Sequence, residues 1–488
     1  MSKNEITPIT KRLLSLIVWL GTGIVGLLMI FFLAQHLITS VMLIVPIFVL
    51  LVVSLILFGS DGVFSINRIL LPLFVVAIIF PSIRLSGDMP DPRPEFVVVV
   101  IGYIFLLFCH LATGYKINIK YQSANKWFLL FGLSILLSMA YSNLFRNHPI
   151  IGRDFWEIFK LILYYLIFSL VANLQINKED MRRYYQFAII IFLISAVFGL
   201  LQYINFTGIN QILSPYYAPT QMRGLLFHKR ITGTTANPNE FGALMVLAFS
   251  LALSGGLVVG EKRLRVLCWF ALPVFWTALF LTLSRTSMVS SLISMVIILL
   301  LFIRVKKITL KVKFKRLFLF LFLACVAFIF VLEFMSERSL WRYSQIFTFE
   351  EASSWVVRIE NWKTHFTLWK ESPWFGWGPA KKTMGTIVDN EWLLILRRYG
   401  LIGTIAFIVL FGNLFFGLSK ISQQGEDFSA CALSLALQGT FVGYVFYMFL
   451  ASIYHSMQLM PIFLLFLGLS YSQWRKSNNK IIMEDINV

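Results

Sequence analysis

Residues 316–334 read RLFLFLFLACVAFIFVLEF, and residues 358–378, a little further on, read RIENWKTHFTLWKESPWFGWG. The first stretch carries charge only at Arg316 and Glu333. At about 1.5 Å per helical residue it can cross a hydrocarbon layer of about 30 Å. The second cannot. It lies in a polar segment, Phe334 to Gly400, that holds Trp341, Trp355, Trp362, Trp369, Trp374, Trp377 and Trp392 out of thirteen tryptophans in the chain. Loops longer than about 15 residues are functional or disordered, and one this aromatic is a poor candidate for disorder. The contrast between the two stretches sets the reading of the whole chain: membrane helices, interrupted once by a loop with work to do.

The rest of the sequence agrees. Of 488 residues 58% are hydrophobic and 13% charged, with a mean hydropathy of +0.79; a soluble domain has about a quarter of its residues charged. Apolar runs recur near 13–34, 37–58, 67–83, 95–114, 126–145, 154–174, 184–206, 238–259, 266–284, 286–303, 316–334, 401–418, 429–451 and 456–473. The expectation is an all-α polytopic membrane protein with about fourteen spans; a β-barrel would show short alternating strands. The closest reversal is at Ser284–Thr286. The first run is too long for a signal-peptide core and is expected to stay as an anchor. Cys109, Cys268, Cys325 and Cys431 sit inside apolar runs and read as small buried hydrophobes rather than as disulfides or metal ligands. The chain divides into 1–206 (N-terminal spans), 207–334 (spans with outward arginine motifs), 335–400 (the long loop) and 401–488 (the last spans and a tail).

A net charge of +19 does not point to nucleic acid, because the basic residues are spread over short inter-span loops. Cytoplasmic loops collect Lys and Arg. Placing the N-terminus inside puts Lys116, Lys120 and Lys126 there, then Lys178, Arg182 and Arg183, then Lys262, Arg263 and Arg265, the run Arg304–Arg316, and Arg475, Lys476 and Lys480. Short loops on that side hold about three times the Lys and Arg of those opposite. Both termini are then cytoplasmic and the long loop is extracytoplasmic, beyond the reach of cytosolic ATP or sugar nucleotides.

Four outward segments carry polar residues. Arg223 through Gly242 reads RGLLFHKRITGTTANPNEFG, with His228, Lys229 and Arg230 just ahead of Asn237-Pro238-Asn239, a helix start by its capping chemistry. A helix N-terminus attracts anions, so these cations suit a phosphate at the membrane surface. Arg285 stands at the second reversal, flanked by Ser284, Thr286 and Ser287; it is either an anchor at the headgroups or part of a polar pocket. In the third segment Ile359, Trp362, Phe366 and Trp369 form a packing stripe, overlapped by a second one of Arg358, Trp362, His365 and Trp369. The turn Ser372–Pro379 can hold tryptophans out to stack on sugar rings or set them in an aromatic belt. In the fourth, Asp389 or Asn390 caps a short helix that Gly400 ends, and the carboxylate is also placed to act as a general base. Asp88 and Asp91 read as a turn, and no His/Cys spacing suits a metal.

In this order the four segments resemble the O-antigen ligase and polymerase superfamily, bacterial membrane glycosyltransferases that use polyprenyl-diphosphate-linked glycans. The matching pieces are Arg230-x-x-Gly with Asn-Pro-Asn-Glu-Phe-Gly, Ser284-Arg285-Thr286, Arg358 with Ser-Pro-Trp-Phe-Gly-Trp-Gly, and Asn390 with Gly400-Leu-Ile-Gly403. They cover about Arg223 to Gly403. The resemblance implies a GT-C-like helical core with the long loop after the tenth or eleventh span. It also implies an inverting transfer that uses no metal and no cofactor. It puts Arg230 and Arg285 on the donor's diphosphate and Asp389 where ligases have a catalytic His; Arg223, His228, Asn239, Arg358, His365, Trp377 and Asn390 are expected to contact substrate. Asp in place of His favours a polymerase over a ligase, with a lean to teichuronic-acid-type wall polysaccharides. The implied partners are polyprenyl-diphosphate oligosaccharides and the lipid bilayer, with a flippase and a chain-length regulator alongside and no nucleic acid. A flippase or other transporter is the competing class; it would line a path with polar residues in the bilayer, of which the sequence shows few: His110, Glu157, Lys160 and Gln438.

Overall fold

The computed structural model describes residues 123–174, 176–213, 229–235, 237–306, 308–334, 353–382, 388–424 and 427–486, along with single positions that include Ile78, Val99, Tyr103, Leu225 and Met384. Four of the expected spans (13–34, 37–58, 67–83 and 95–114) lie outside these residues, as do Cys109, Arg223 and His228. The long helices are α1 (Ser123–Phe145), α2 (Gly152–Ala172), α3 (Lys178–Tyr203), α4 (Pro238–Val258), α5 (Lys262–Leu281), α6 (Arg285–Arg304), α7 (Leu310–Phe334), α8 (Ser353–Glu371), α9 (Glu391–Gln424), α10 (Phe428–Tyr447) and α11 (Leu459–Ile486). Among the described residues there is no strand, and eight helices are long and apolar enough to cross a membrane: α1 to α6, α9 and α10. The protein is an all-α, multi-pass membrane protein.

Helix starts follow capping chemistry. Asn177 accepts from the Asp180 amide at 2.7 Å, Asn237 from Glu240 at 2.9 Å with Pro238 in the first turn, and Asn390 from Leu393 at 3.0 Å. Asn390, rather than Asp389, is thus the cap of α9. Each such bond satisfies an amide that a helix start leaves open. The reversal at 282–284 is real: Leu283 has a left-handed φ of +52° and Ser284 caps α6.

Helix α4 is the axis of the bundle, with its membrane-crossing window wholly buried. It packs against α5, α6 and α10, while α9 packs on α1 and α11 on α2. Leu129, Leu133, Phe270, Leu300 and Phe318 instead face outward, as lipid-facing side chains do. Cys268 and Cys431 are buried, but Cys325 is exposed; being on α7, it faces out with Phe318 and Phe322.

One helix is broken. At Gly400 the backbone of α9 turns to φ +62°, ψ −166°, separating a short first piece, Glu391–Tyr399, from the long one that follows. A break among buried residues is tolerated only where other protein groups take up the freed backbone hydrogen bonds. Here the turn 373–378 does so. The amides of Trp377 and Gly378 donate to the carbonyls of Arg397 (3.0 Å) and Arg398 (2.8 Å), and the amides of Leu401 and Ile402 donate to the carbonyls of Pro373 (2.8 Å) and Trp374 (3.2 Å). Ser138 on α1 donates to the Arg398 carbonyl at 2.6 Å, and Ser142 to that of Trp377 at 2.7 Å. A Cβ on Gly400 would come within 2.2 Å of the Trp374 carbonyl oxygen, and one on Gly376 within 2.4 Å of that of Arg398.

The segments that the charge pattern assigned to one face also meet in space. At one end Arg182 pairs with Glu261 at 3.2 Å and Arg265 donates to the Gly260 carbonyl; a hollow there is shared by Lys178, Glu261 and Asp427. At the other end lie the starts of α2, α4, α6 and α9 and the turn 448–458.

We predict that Gly400→Ala destabilises the protein by more than about 2 kcal/mol, since the left-handed φ and the backbone contact both forbid a methyl group. Gly412→Ala, with nothing within 4 Å of the new Cβ, should match the parent. Thermal unfolding in detergent distinguishes the two.

Candidate functional site

At the end where α2, α4, α6 and α9 begin, a buried carboxylate gathers four basic groups. Glu157, on the second turn of α2, is 2% exposed. It receives Lys160 Nζ at 2.6 Å, Lys381 Nζ at 2.9 Å, Arg398 Nη1 at 3.3 Å and His455 Nε2 at 3.3 Å; the Tyr399 hydroxyl donates to it at 3.3 Å. A second buried carboxylate, Glu391, accepts from the amides of Ile453 (2.6 Å) and Tyr454 (2.8 Å) and bonds His455 Nδ1. The short first piece of α9 is therefore tied at its start to the turn 453–455 and near its end to α2. Such charges are held in low dielectric only when mutually compensated.

Beside this network stand the residues that the sequence singled out. Arg230 donates through Nε to the Thr282 carbonyl at 3.0 Å and through Nη2 to Asn239 Oδ1 at 3.1 Å. Arg285, partly exposed, opens α6 three residues beyond Thr282. Tyr447 joins the set: its hydroxyl donates to the Asn239 carbonyl at 2.9 Å, and it lies within electrostatic reach of Glu240, Arg230 and Arg358. Arg358 on α8 in turn pairs with Asp389, Nε to Oδ2, at 3.2 Å. The next residue after Tyr447, Met448, accepts the Glu391 amide at 2.8 Å. So Arg230, Asn239, Arg285, Arg358, Asp389 and Asn390 are brought to one end around the tip of α10.

Helix α8 meets the short helix in a second polar contact, His365 Nδ1 with Arg397 Nη1 at 3.2 Å. Burial, reinforced by Arg397 and Arg398, pushes the pKa of His365 down to about 4, so at neutral pH it is an uncharged acceptor for Arg397. On the flank of the same pair of helices Ile359, Trp362, Lys363 and Phe366 face Trp392, Leu393 and Leu396 across a groove of about 520 Å³ that reaches Asn390. The stripe expected to pack does border this groove, although Phe366 stays 43% exposed.

Trp377 is placed differently from expectation. It is buried, donates Nε1–H to the Leu368 carbonyl at 2.6 Å, and lies between Arg146 and His148. The tryptophan held outward by that turn is Trp374, 60% exposed. The sequence reading assigned no role at the site to Glu157, Lys160, Lys381, Arg398 or His455. A signal was present for the first two: an acid and a base three residues apart in an otherwise apolar run face one way on a helix.

A multi-pass helical membrane protein with arginines and a half-exposed carboxylate converging at one end of the bundle is suited to handling an anionic, membrane-bound substrate. A family model described as O-antigen ligase matches residues 266–408, from α5 to the first turns beyond Gly400. Over that stretch the chain is similar to O-antigen ligases. Arg285, Arg358, His365, Trp377, Asp389 and Asn390 fall inside the match; Arg223, His228, Arg230 and Asn239 precede it. No curated protein matches the chain.

Two outcomes follow from the buried groups. Glu157→Gln leaves Lys160, Lys381 and Arg398 without their shared counter-charge and should cost about 3–5 kcal/mol, with a smaller loss for Glu157→Asp; detergent unfolding midpoints measure both. His365, neutral in the fold, binds its proton more readily when unfolded. His365's contribution to stability should therefore be lost as pH falls from about 6.5 towards 4 and be unchanged above that window. His365→Asn should show a flatter pH profile.

Proposed function

We propose that the protein is a polysaccharide polymerase, joining polyprenyl-diphosphate-linked repeat units at the outer face of the cytoplasmic membrane. The observation that carries this reading is the convergence around Tyr447 of Arg230 with the Arg358–Asp389 pair. It sets a carboxylate beside cations suited to a diphosphate.

In the reaction a hydroxyl oxygen of the acceptor glycan attacks the anomeric carbon of the donor. The carbon–oxygen bond to the diphosphate breaks, the polyprenyl diphosphate leaves with the electron pair, and configuration at that carbon inverts. Arg230 and Arg285 stabilise the charge growing on the leaving diphosphate, a task that arginine performs without metal because it is permanently charged and bidentate toward phosphate. Asp389 takes the hydroxyl proton. Its Oδ2 is held by Arg358, which orients the carboxylate, while half of the side chain stays open to an incoming group. Asn390 fixes the backbone beneath it by capping α9, and Trp374 offers an exposed ring to a sugar face. Two lipid-bound substrates confined to one membrane face gain further from proximity.

A ligase, passing finished glycan to a lipid or protein acceptor, is the second reading, favoured by the description of the matched family. The product decides: a ladder of repeat units marks a polymerase, a single addition to a foreign acceptor a ligase.

Arg285→Lys and Asp389→Asn should each lower polymer formation at least about 100-fold while membrane levels stay normal. Gel analysis of the glycan in a deletion strain carrying each variant is the measurement. Normal chain length and yield in both variants would sink this assignment of roles.

A further inference from the structure

Arg397 is fully buried on the short first piece of α9 and has no carboxylate partner among the described residues. Its Nη1 meets the neutral His365 and, at 3.2 Å, the Met384 carbonyl. Its Nε and Nη2, and Nε of the neighbouring Arg398, are buried with no acceptor. These are three unsatisfied N–H-bearing nitrogens on two adjacent arginines. Glu157 is already shared among Lys160, Lys381, Arg398 and His455, and Glu391 is occupied by His455 and two backbone amides. Among the described residues, nearby charge therefore leaves Arg397 uncompensated. A buried guanidinium with two open donors side by side has the shape of a bidentate receptor for an oxyanion. Leaving it unfilled costs stability, a cost typical of groups kept for binding.

Helix geometry places this receptor relative to the proposed base. Seven residues separate Asn390 from Arg397, so the guanidinium's backbone stands about 10 Å along the helix from the Asp389 end. An anion held there is carried by the same glycan substrate, at a distance from the reacting hydroxyl. We propose that Arg397, with Arg398, is a binding subsite for an oxyanion carried by the substrate, separate from the Arg230–Arg285 site. The proposal rests on the polymerase reading for the identity of that substrate. The oxyanion is either the diphosphate of a lipid-linked repeat unit or the carboxylate of an acidic sugar within it, and the test tells the two apart.

The test uses full-length protein in detergent, in an Arg230→Met background that silences the proposed diphosphate site of the donor. Inorganic pyrophosphate stands for the lipid diphosphate, glucuronate for an acidic sugar and glucose for a neutral control. At saturation one of the two anions should raise the unfolding temperature by about 2 °C or more, and glucose should not. Adding Arg397→Met should abolish that rise, and Arg397→Lys should retain part of it. Without anion, Arg397→Met should unfold at or above the temperature of its background, whereas loss of a purely structural arginine would lower it. A response to pyrophosphate identifies the diphosphate, and a response to glucuronate the acidic sugar. If neither anion acts, or if the rise survives Arg397→Met, the subsite is overturned. Failure of the polymerase reading would show separately, as full transfer activity in Arg230→Met itself.

Discussion

The break at Gly400 is the constraint from which the arrangement around the candidate site follows. Interrupting a helix among buried residues frees carbonyls on one side and amides on the other, and each must find a partner within the protein. The turn 373–378 supplies both kinds of partner at once, two amides to Arg397 and Arg398 and two carbonyls to Leu401 and Ile402. That demand explains the composition of the turn. Gly376 and Gly400 each stand where backbone crosses backbone too closely for a Cβ. Ser372 donates to the Gly376 carbonyl at 2.8 Å and closes the turn. The long loop is thereby anchored in the bundle at its centre, and α8 is delivered against the short helix that carries Asn390, Arg397 and Arg398.

The short helix is then held by charge rather than by length. Nine residues make too few turns to be stable alone, and this piece gains its fixity from Glu391 at one end and the Arg398–Glu157 contact at the other. Buried ion pairs contribute little net stability, because desolvation offsets most of the attraction. Their strength is directional: a carboxylate shared by Lys160, Lys381, Arg398 and His455 accepts only one arrangement of α2, α9 and the turn 453–455. A hydrophobic contact of equal area would allow the short helix to slide.

Much of this was legible in the sequence, and the rest was hidden for identifiable reasons. Each apolar run that falls among the described residues is a helix, since run length and hydropathy alone decide whether a segment can span lipid. The caps at Asn177, Asn237 and Ser284 follow from local chemistry. The meeting of Arg230 with Asn239 was within reach because both flank one helix start. Glu157 was visible as an oddity, yet its partners come from positions 160, 381, 398 and 455, and long-range convergence of that kind leaves no periodic trace. The position of Trp377 is hidden for a related reason. The pattern of the turn shows two tryptophans three residues apart, but only the fold decides that Trp377 packs inward on Arg146 while Trp374 faces out.

Three of the carboxylates at this end, Glu157, Glu391 and Asp389, differ in a way that bears on chemistry. Glu157 and Glu391 are almost wholly buried and engaged by several donors each, so taking a proton would dismantle the contacts that fix the short helix. Asp389 has one cationic contact and half its surface open. A partly exposed pair of this kind contributes at most about 1 kcal/mol to stability, so structural need alone does not account for a carboxylate at that position, the more so because Asn390 already provides the cap. Of the three, Asp389 has the fewest contacts that bind it into the framework. The match covering 266–408 includes it, and Arg358 orients it. In the proposed reaction a carboxylate there must be aimed at the acceptor hydroxyl, and the guanidinium on α8 is placed to aim it.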